Sequence, residues 1–219
     1  MRIWASLLDF LFPPECLGCG TEDVWLCPDC RKTIRIEVRR LSLQPKAFSH
    51  VWVLADYNQP LVAKAIRRFK FGYCRDLLQD LRPFMAAALE EVPLPEGAVL
   101  VPVPLHRLRR NTRGFNQAEL IAHELGALTG KPVVPILKRI RHTPQQARLS
   151  GEERRRNLKD AFAVDAAAAK TLAKDTPLVL VDDVATTLST LEACARTLKH
   201  AGYKQLDALV IARSAEIAK

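Results

Sequence analysis

The 219-residue chain has no apolar run approaching the ~18–20 residues that a membrane-spanning helix needs, so a membrane-spanning protein is not expected. Nor is its opening stretch, "MRIWASLLDFLFPPECLGCG", expected to act as a secretory leader. Asp9 interrupts the apolar run, Pro13 and Pro14 end it, and no small-residue cleavage site follows. A cytoplasmic location is therefore expected, and there thiols stay reduced, so the clustered cysteines need an explanation other than disulfides. The sequence also lacks internal repeats. Acidic residues are in the minority: 24 Asp and Glu stand against 33 Lys and Arg, a net charge of +9. That excess favours anionic partners such as phosphates or nucleic acid, although solubility alone also explains a charged surface.

What is present is enough apolar sequence, 48% of residues, for a real core. Residues 1–12 read as a short amphipathic helix, 14–34 as a cysteine-bearing knuckle and 35–49 as a polar linker. "HVWVLADY" (50–57) is β-like, with Val51, Val53 and Ala55 alternating against Trp52 and Leu54. Pro60 opens a helix, which suits a first turn, and 75–92 continue helically with Pro83 as a kink or restart. "AVLVPVP" (98–104) is a buried strand. The helix over 116–130 has Asn116 as N-cap and Gly130 at its end. Residues 137–160 read as a long basic loop. Strands are expected at 161–164 and 177–181 around an exposed Ala-rich insertion, then a helix at 189–202 and a last strand at 206–213. Strands alternating with helices predict a Rossmann-like, mainly parallel, right-handed α/β sheet.

Cys16-x2-Cys19, seven residues, then Cys27-x2-Cys30 supplies two thiolate pairs in one short segment. Four thiolates complete a closed tetrahedral shell with no position left for water or substrate, so the site reads as structural Zn2+. An iron–sulfur cluster and a redox CxxC are the rival readings. Gly18 and Gly20 suit the tight turn around the sulfurs. Cys74 and Cys194 stand apart and read as small core residues.

"PLVLVDDVATTLST" (177–190) starts as a strand and ends in hydroxyls. Ligands of open parallel sheets gather at strand carboxyl ends, where this reading puts Asp182 and Asp183. An acidic pair capping a helix is the plain alternative. However, Ala185, Thr186, Thr187, Leu188, Ser189 and Thr190 intervene before the helix proper. Their amides and hydroxyls at a helix N-terminus can cradle a phosphate monoester, while nearby carboxylates suit ribose hydroxyls and a hydrated Mg2+. Together these describe a ribose 5-phosphate. The stretch resembles the signature of type I phosphoribosyltransferases: four apolar residues, two acids, two variable residues, then Thr-Thr-Gly-x-Thr. Every position fits except Leu188, which replaces the glycine. Leucine keeps the amide but adds bulk and a conformational penalty, about 1–2 kcal/mol if a left-handed backbone is required, so the departure predicts weakened rather than lost phosphate binding.

Two basic segments accompany it. Leu105, His106 and Arg107 form a turn at the same sheet edge, and Arg107, Arg109, Arg110 and Arg113 place four cations within seven residues. A departing pyrophosphate needs such charge. His106 reads either as a surface histidine or as a loop donor. From 137 to 159, eight Lys and Arg face only Glu152 and Glu153. This run is a solvated arm, a cationic lid or a nucleic-acid backbone site. Aromatic residues are too sparse within it to support base stacking.

Together, the knuckle, "RGFNQAELIA", "RHTPQQARLSGEERRRNLKDAF" and "VDDVATT" resemble the ComF family of bacterial competence proteins, in order and spacing over nearly the whole chain. The resemblance implies a zinc finger and linker over 1–49 and a type I phosphoribosyltransferase-like domain over 50–219. It assigns Asp182, Asp183 and the 185–190 loop to the ribose phosphate, and Leu105, His106, Arg107 and Arg113 to pyrophosphate. It makes 137–157 a flexible loop, with Arg141, Gln145, Gln146, Arg148, Arg156 and Asn157. The implied role is Mg2+-dependent binding of phosphoribosyl pyrophosphate, with transfer to an unknown acceptor, in DNA uptake, natural transformation or use of external DNA. Single-stranded DNA and proteins of uptake or recombination are the implied partners. A non-catalytic DNA-binding adaptor and a nucleobase-salvage transferase are the alternatives.

Overall fold

The computed structural model describes residues 13–41, 47–71, 76–141, 158 and 160–214; the side chains of Phe71, Arg109 and Arg113 are not among those described. The expected helix at 1–12, Cys74 and the loop positions Gln145, Gln146, Arg148, Arg156 and Asn157 lie outside these residues.

After a short helix α1 (Pro28–Lys32), five strands form the central sheet: β1 (Arg39–Leu41), β2 (Val51–Asp56), β3 (Val99–Pro102), β6 (Leu178–Ala185) and β7 (Leu206–Arg213). Their order is β1-β2-β7-β6-β3. Only β1 is antiparallel to its neighbour; β2–β7, β7–β6 and β6–β3 are parallel. A mainly parallel sheet is thus present as expected. It is covered on both faces, which explains why its inner strands read as near-continuous apolar runs. Leu54 is as buried as Val53, so the alternation read in β2 separates two buried faces rather than core from solvent.

One face carries Leu54, Val179, Val181, Leu209 and Ile211 against helices α2 (Pro60–Phe71), α3 (Leu77–Leu89) and α5 (Gln117–Thr129). The other carries Val51, Val53, Leu178, Leu180 and Val210 against α7 (Ser189–His200), through Leu191, Cys194 and Leu198. A separate two-stranded antiparallel ribbon, β4 (Leu137–Arg139) with β5 (Phe162–Val164), leads into the short α6 (Ala166–Ala169).

Several expectations change. Residues 35–49 are not only a linker, because 39–41 pair with 51–53 as an edge strand. Pro83 neither stops nor restarts α3, which runs through it and buries Leu81, Phe84, Met85 and Ala88. The basic stretch after His106 is a helix, α4 (Arg107–Arg113), closed by Gly114 in the left-handed conformation at φ 73°. The segment expected as a loop from 137 begins as a strand. Finally, β6 extends beyond 181 through Ala185, so the two acids stand within the strand, not after it. The capping readings at Asn116 and Gly130 are borne out: Asn116 accepts from the Ala118 amide, and Gly130 is left-handed at φ 69°.

Candidate functional site

Because successive side chains of a strand alternate in direction, Asp182 follows the face of Leu178 and Leu180, and Asp183 that of Val179 and Val181. Asp183 meets Lys70 in the last turn of α2, with Nζ 3.0 Å from Oδ1. The same oxygen accepts the Val184 amide at 2.6 Å, and Asp182 Oδ1 accepts the Asp183 amide at 2.9 Å. Both acids open onto one cavity of ≈ 190 Å³, lined also by Lys70, Leu105, Asn116, Arg139 and Thr190. Burial, and then the charge of Asp183, push the Asp182 carboxyl up to about 7, against the pull of Lys70, the Asp183 amide and Arg139.

A second cavity of ≈ 470 Å³ shares Pro104, Leu105, Asn116 and Arg139 with the first and adds Arg107, Arg110, Lys138 and Ile140. Asn116 builds the common wall, because its Nδ2 donates to the Val103 carbonyl while its Oδ1 caps α5. Cations are oriented here by two acids. Arg110 lies 3.4 Å from Glu119, and Lys138 lies 2.7 Å from Asp165, whose carboxyl its hydrogen bond holds below the ordinary range.

Leu188 has φ 61° and ψ 0°, the left-handed conformation that favours glycine. Its side chain is buried with Val210, Leu191 and Ala185, so its bulk enters the core. Its carbonyl accepts the Glu192 amide, starting α7. Ser189 is buried, Thr187 half-buried and Thr186 exposed.

The structure therefore brings Leu105, Arg107, Asp182, Asp183 and Thr190 to two adjoining cavities. Thr186 and Thr187 instead line a different cavity, of ≈ 260 Å³, with Arg39, Asp56 and Arg213. His106 is the N-cap of α4 and accepts from the Leu108 amide through Nδ1 at 3.2 Å. Arg141 is exposed, and Arg113 is placed only as the last residue of α4. Lys138 and Arg139, read as part of a basic loop, line the cleft from strand β4; sequence reading missed Lys70 and Asn116 as cleft residues, and no local pattern marks Lys70, whose acidic partner is distant in sequence.

The knuckle gathers four sulfurs, of Cys16, Cys19, Cys27 and Cys30, within 4.8 Å of one another. Cys19 and Cys27 Sγ are 3.7 Å apart, close to the ~3.8 Å that tetrahedral coordination at ~2.3 Å requires. These residues therefore fit a metal ion. The Cys27 amide donates to Cys16 Sγ and the Cys30 amide to Cys27 Sγ, each at 3.4 Å. Burial raises the Cys16 thiol, but the amides of Cys19, Cys27 and Gly18 outweigh it and bring the group to about 6. Neighbouring sulfurs, Cys19 first, push Cys30 up to about 12. The knuckle is docked by Asp80 of α3, which accepts the Trp25 and Leu26 amides, and by Lys64 and Arg68 of α2. Cys194 is fully buried, a core residue as read, with its thiol pushed well up by burial.

Among the described residues no helix is long and apolar enough to cross a membrane. A Rossmann-like sheet with an acidic cleft at its carboxyl edge and a four-cysteine finger docked on its helices defines the class of protein. Sequence comparison places it within that class. Over 208 residues the chain is 31% identical to Competence protein F of Haemophilus influenzae, covering 92% of this chain and 85% of that protein. It is 30% identical to DNA utilization protein YhgH of Salmonella typhi, with 91% and 88% covered, and 28% identical to Competence protein ComFC of Bacillus subtilis, with 67% and 56% covered. No family model matches the chain. The chain belongs to the ComF family.

Proposed function

We propose that the protein binds phosphoribosyl pyrophosphate with Mg2+ and transfers its phosphoribosyl group, serving competence or the use of external DNA. The observation that carries this reading is the shared wall between the acidic cavity and the arginine- and lysine-lined one. A ribose with a pyrophosphate on C1 needs acceptors for its hydroxyls and cations for its leaving group side by side. Asp182 and Asp183 take the ribose hydroxyls. Arg107 and Arg110 take the pyrophosphate. The amides at the start of α7 take the 5′-phosphate. Leu188 supports that last assignment, because it keeps the left-handed turn and its amide while its side chain is buried.

Asp182 and Asp183 offer the hard oxygen donors that Mg2+ prefers, and bound there the ion would stabilise charge on the leaving pyrophosphate. In transfer, the bond from C1 to the pyrophosphate oxygen breaks, pyrophosphate leaves with the bonding pair, and an acceptor nucleophile bonds to C1. Zn2+ is assigned to the four cysteines as a structural ion, since all four positions are protein thiolates.

The role in DNA uptake rests on the names of the relatives and on the net charge of +9. Single-stranded DNA is the assigned partner, together with proteins that receive it. Calorimetric titration with phosphoribosyl pyrophosphate and Mg2+ tests the site. Binding is expected in the wild type and lost in Asp182→Asn/Asp183→Asn. No heat of binding at millimolar ligand would overturn the reading. Release of pyrophosphate with candidate acceptors tests transfer, and a DNA mobility shift that weakens with salt tests the partner.

A further inference from the structure

Helix α2 carries Lys64, Arg67, Arg68 and Lys70 and no acidic residue. Lys64 and Arg68 are committed to the knuckle: one donates to the Leu17 carbonyl at 3.0 Å, the other lies 4.6 Å over the Trp25 ring. Arg67 is exposed. Lys70 turns the other way, into the acidic cavity, with its side chain 25% exposed against 9% for Asp183. A carboxylate this buried needs a cation or strong donors beside it, and here the chain provides the cation itself.

We propose that Lys70 is a resident cation of this cleft, supplying from the chain part of the positive charge that a divalent ion brings to Asp183 and to a pyrophosphate-bearing ligand. The inference rests on the phosphoribosyl pyrophosphate reading of the cleft. Three features carry it. The ammonium lies 3.0 Å from Asp183 Oδ1 and lines the same cavity as both carboxylates. It has three donors that rotate on a flexible stem, so it can hold Asp183 and turn to a phosphate oxygen that enters beside Leu105 and Thr190. And it is a compact point charge, which suits it to stand in for a small hard ion. The consequence is a site that keeps measurable affinity for its anionic ligand when divalent metal is removed. A purely structural pair, tying α2 to β6, would affect stability and leave metal dependence unchanged.

The test is a calorimetric titration of the full chain with phosphoribosyl pyrophosphate, in saturating Mg2+ and in chelator, for wild type, Lys70→Gln and Lys70→Arg. Lys70→Gln keeps a hydrogen-bond donor to Asp183 and so preserves the fold, which thermal unfolding checks. In wild type, removing Mg2+ is expected to weaken binding by no more than about tenfold; Lys70→Gln should bind less tightly than wild type already in saturating Mg2+, and the same removal should cost it about a further hundredfold or more. Lys70→Arg should restore most of the metal-free binding. Equal metal dependence in Lys70→Gln and wild type overturns the role of Lys70 alone, as does complete loss of wild-type binding in chelator. Failure of wild type to bind in saturating Mg2+ overturns the phosphoribosyl reading itself.

Discussion

Thr187 Oγ1 and Ser189 Oγ stand 2.8 Å apart, so two hydroxyls meet across a residue whose own side chain has gone into the core. That residue, Leu188, stands where the type I phosphoribosyltransferase signature that this stretch resembles has glycine. The loop keeps the backbone that glycine serves, at φ 61°, and leucine reaches it because its side chain is 5% exposed. Burying a leucine contributes about 1.5–3 kcal/mol, against a left-handed cost of about 1–2 kcal/mol. The two nearly cancel, and burial has the edge.

Leu188→Gly is therefore expected to destabilise the protein, despite relieving the backbone. Losing the side chain costs about 2–5 kcal/mol with its cavity, and about 1–2 kcal/mol returns from relieved strain. Denaturant unfolding should show a net loss of about 2 kcal/mol, within a range of about 0–4 kcal/mol. Affinity for phosphoribosyl pyrophosphate should stay within about threefold of wild type, because both residues present the same amide. A variant more stable than wild type would show that strain, not burial, dominates at this position.

Much of this was legible in the sequence. The buried strands announce themselves because both faces of a parallel sheet are covered, so "VLV" and "LVIA" need no alternation. The cysteine spacing and the cap at Asn116 are local chemistry and were read as such. What escaped is what depends on distant partners. The edge strand "RRL" has no apolar pattern and exists because it pairs with β2. The helix over "RLRRNTR" has no apolar stripe, and His106 and Gly114 cap it instead. The ion pair of Lys70 with Asp183 joins two elements far apart in the chain.

Gly18 and Gly20 flank the same cysteine pair, but for different reasons, and their alanine variants should separate them. A Cβ at Gly18 would lie 2.5 Å from Cys30 Sγ, whereas Gly20 has open space but a φ of 82°. Gly18→Ala must push a sulfur out of the cluster, so metal affinity should fall by at least about tenfold, as when a ligand's support is lost. Gly20→Ala should cost about 1–2 kcal/mol of folding stability and leave the cluster nearly intact. Competition for Zn2+ with a chromophoric chelator measures both; equal metal loss in the two variants would refute the distinction.

Asp80 joins the knuckle to the sheet domain through one carboxylate oxygen, which accepts the Trp25 amide at 2.9 Å and the Leu26 amide at 3.0 Å. Asp80→Ala strands both amides while sparing the Arg31 bond to the Asp80 carbonyl, at 3.2 Å. The expected loss is about 2–4 kcal/mol, on the scale of hydrogen bonds to a charged acceptor. Hydrogen exchange should quicken first at residues 25 and 26. A loss below about 0.5 kcal/mol would mean that the knuckle is held by other contacts.

Asp182 gives the protein a pH signature of definite sign. Its carboxyl is raised from 3.8 to about 7 in the folded chain, by burial first and by Asp183 second. Between these values the folded state binds more protons than the unfolded one, so stability falls as pH rises. This contribution is fully present below about 4, is lost progressively up to about 7, and is flat above. Asp182→Asn removes the ionisation from both states. Its unfolding temperature should therefore lack this decline, and near pH 7.5 the variant should be the more stable protein. Thermal unfolding of both proteins from pH 4 to 8 checks the point. Parallel curves across that range would show that Asp182 ionises normally in the folded chain, and that neither its burial nor its neighbour Asp183 governs its proton.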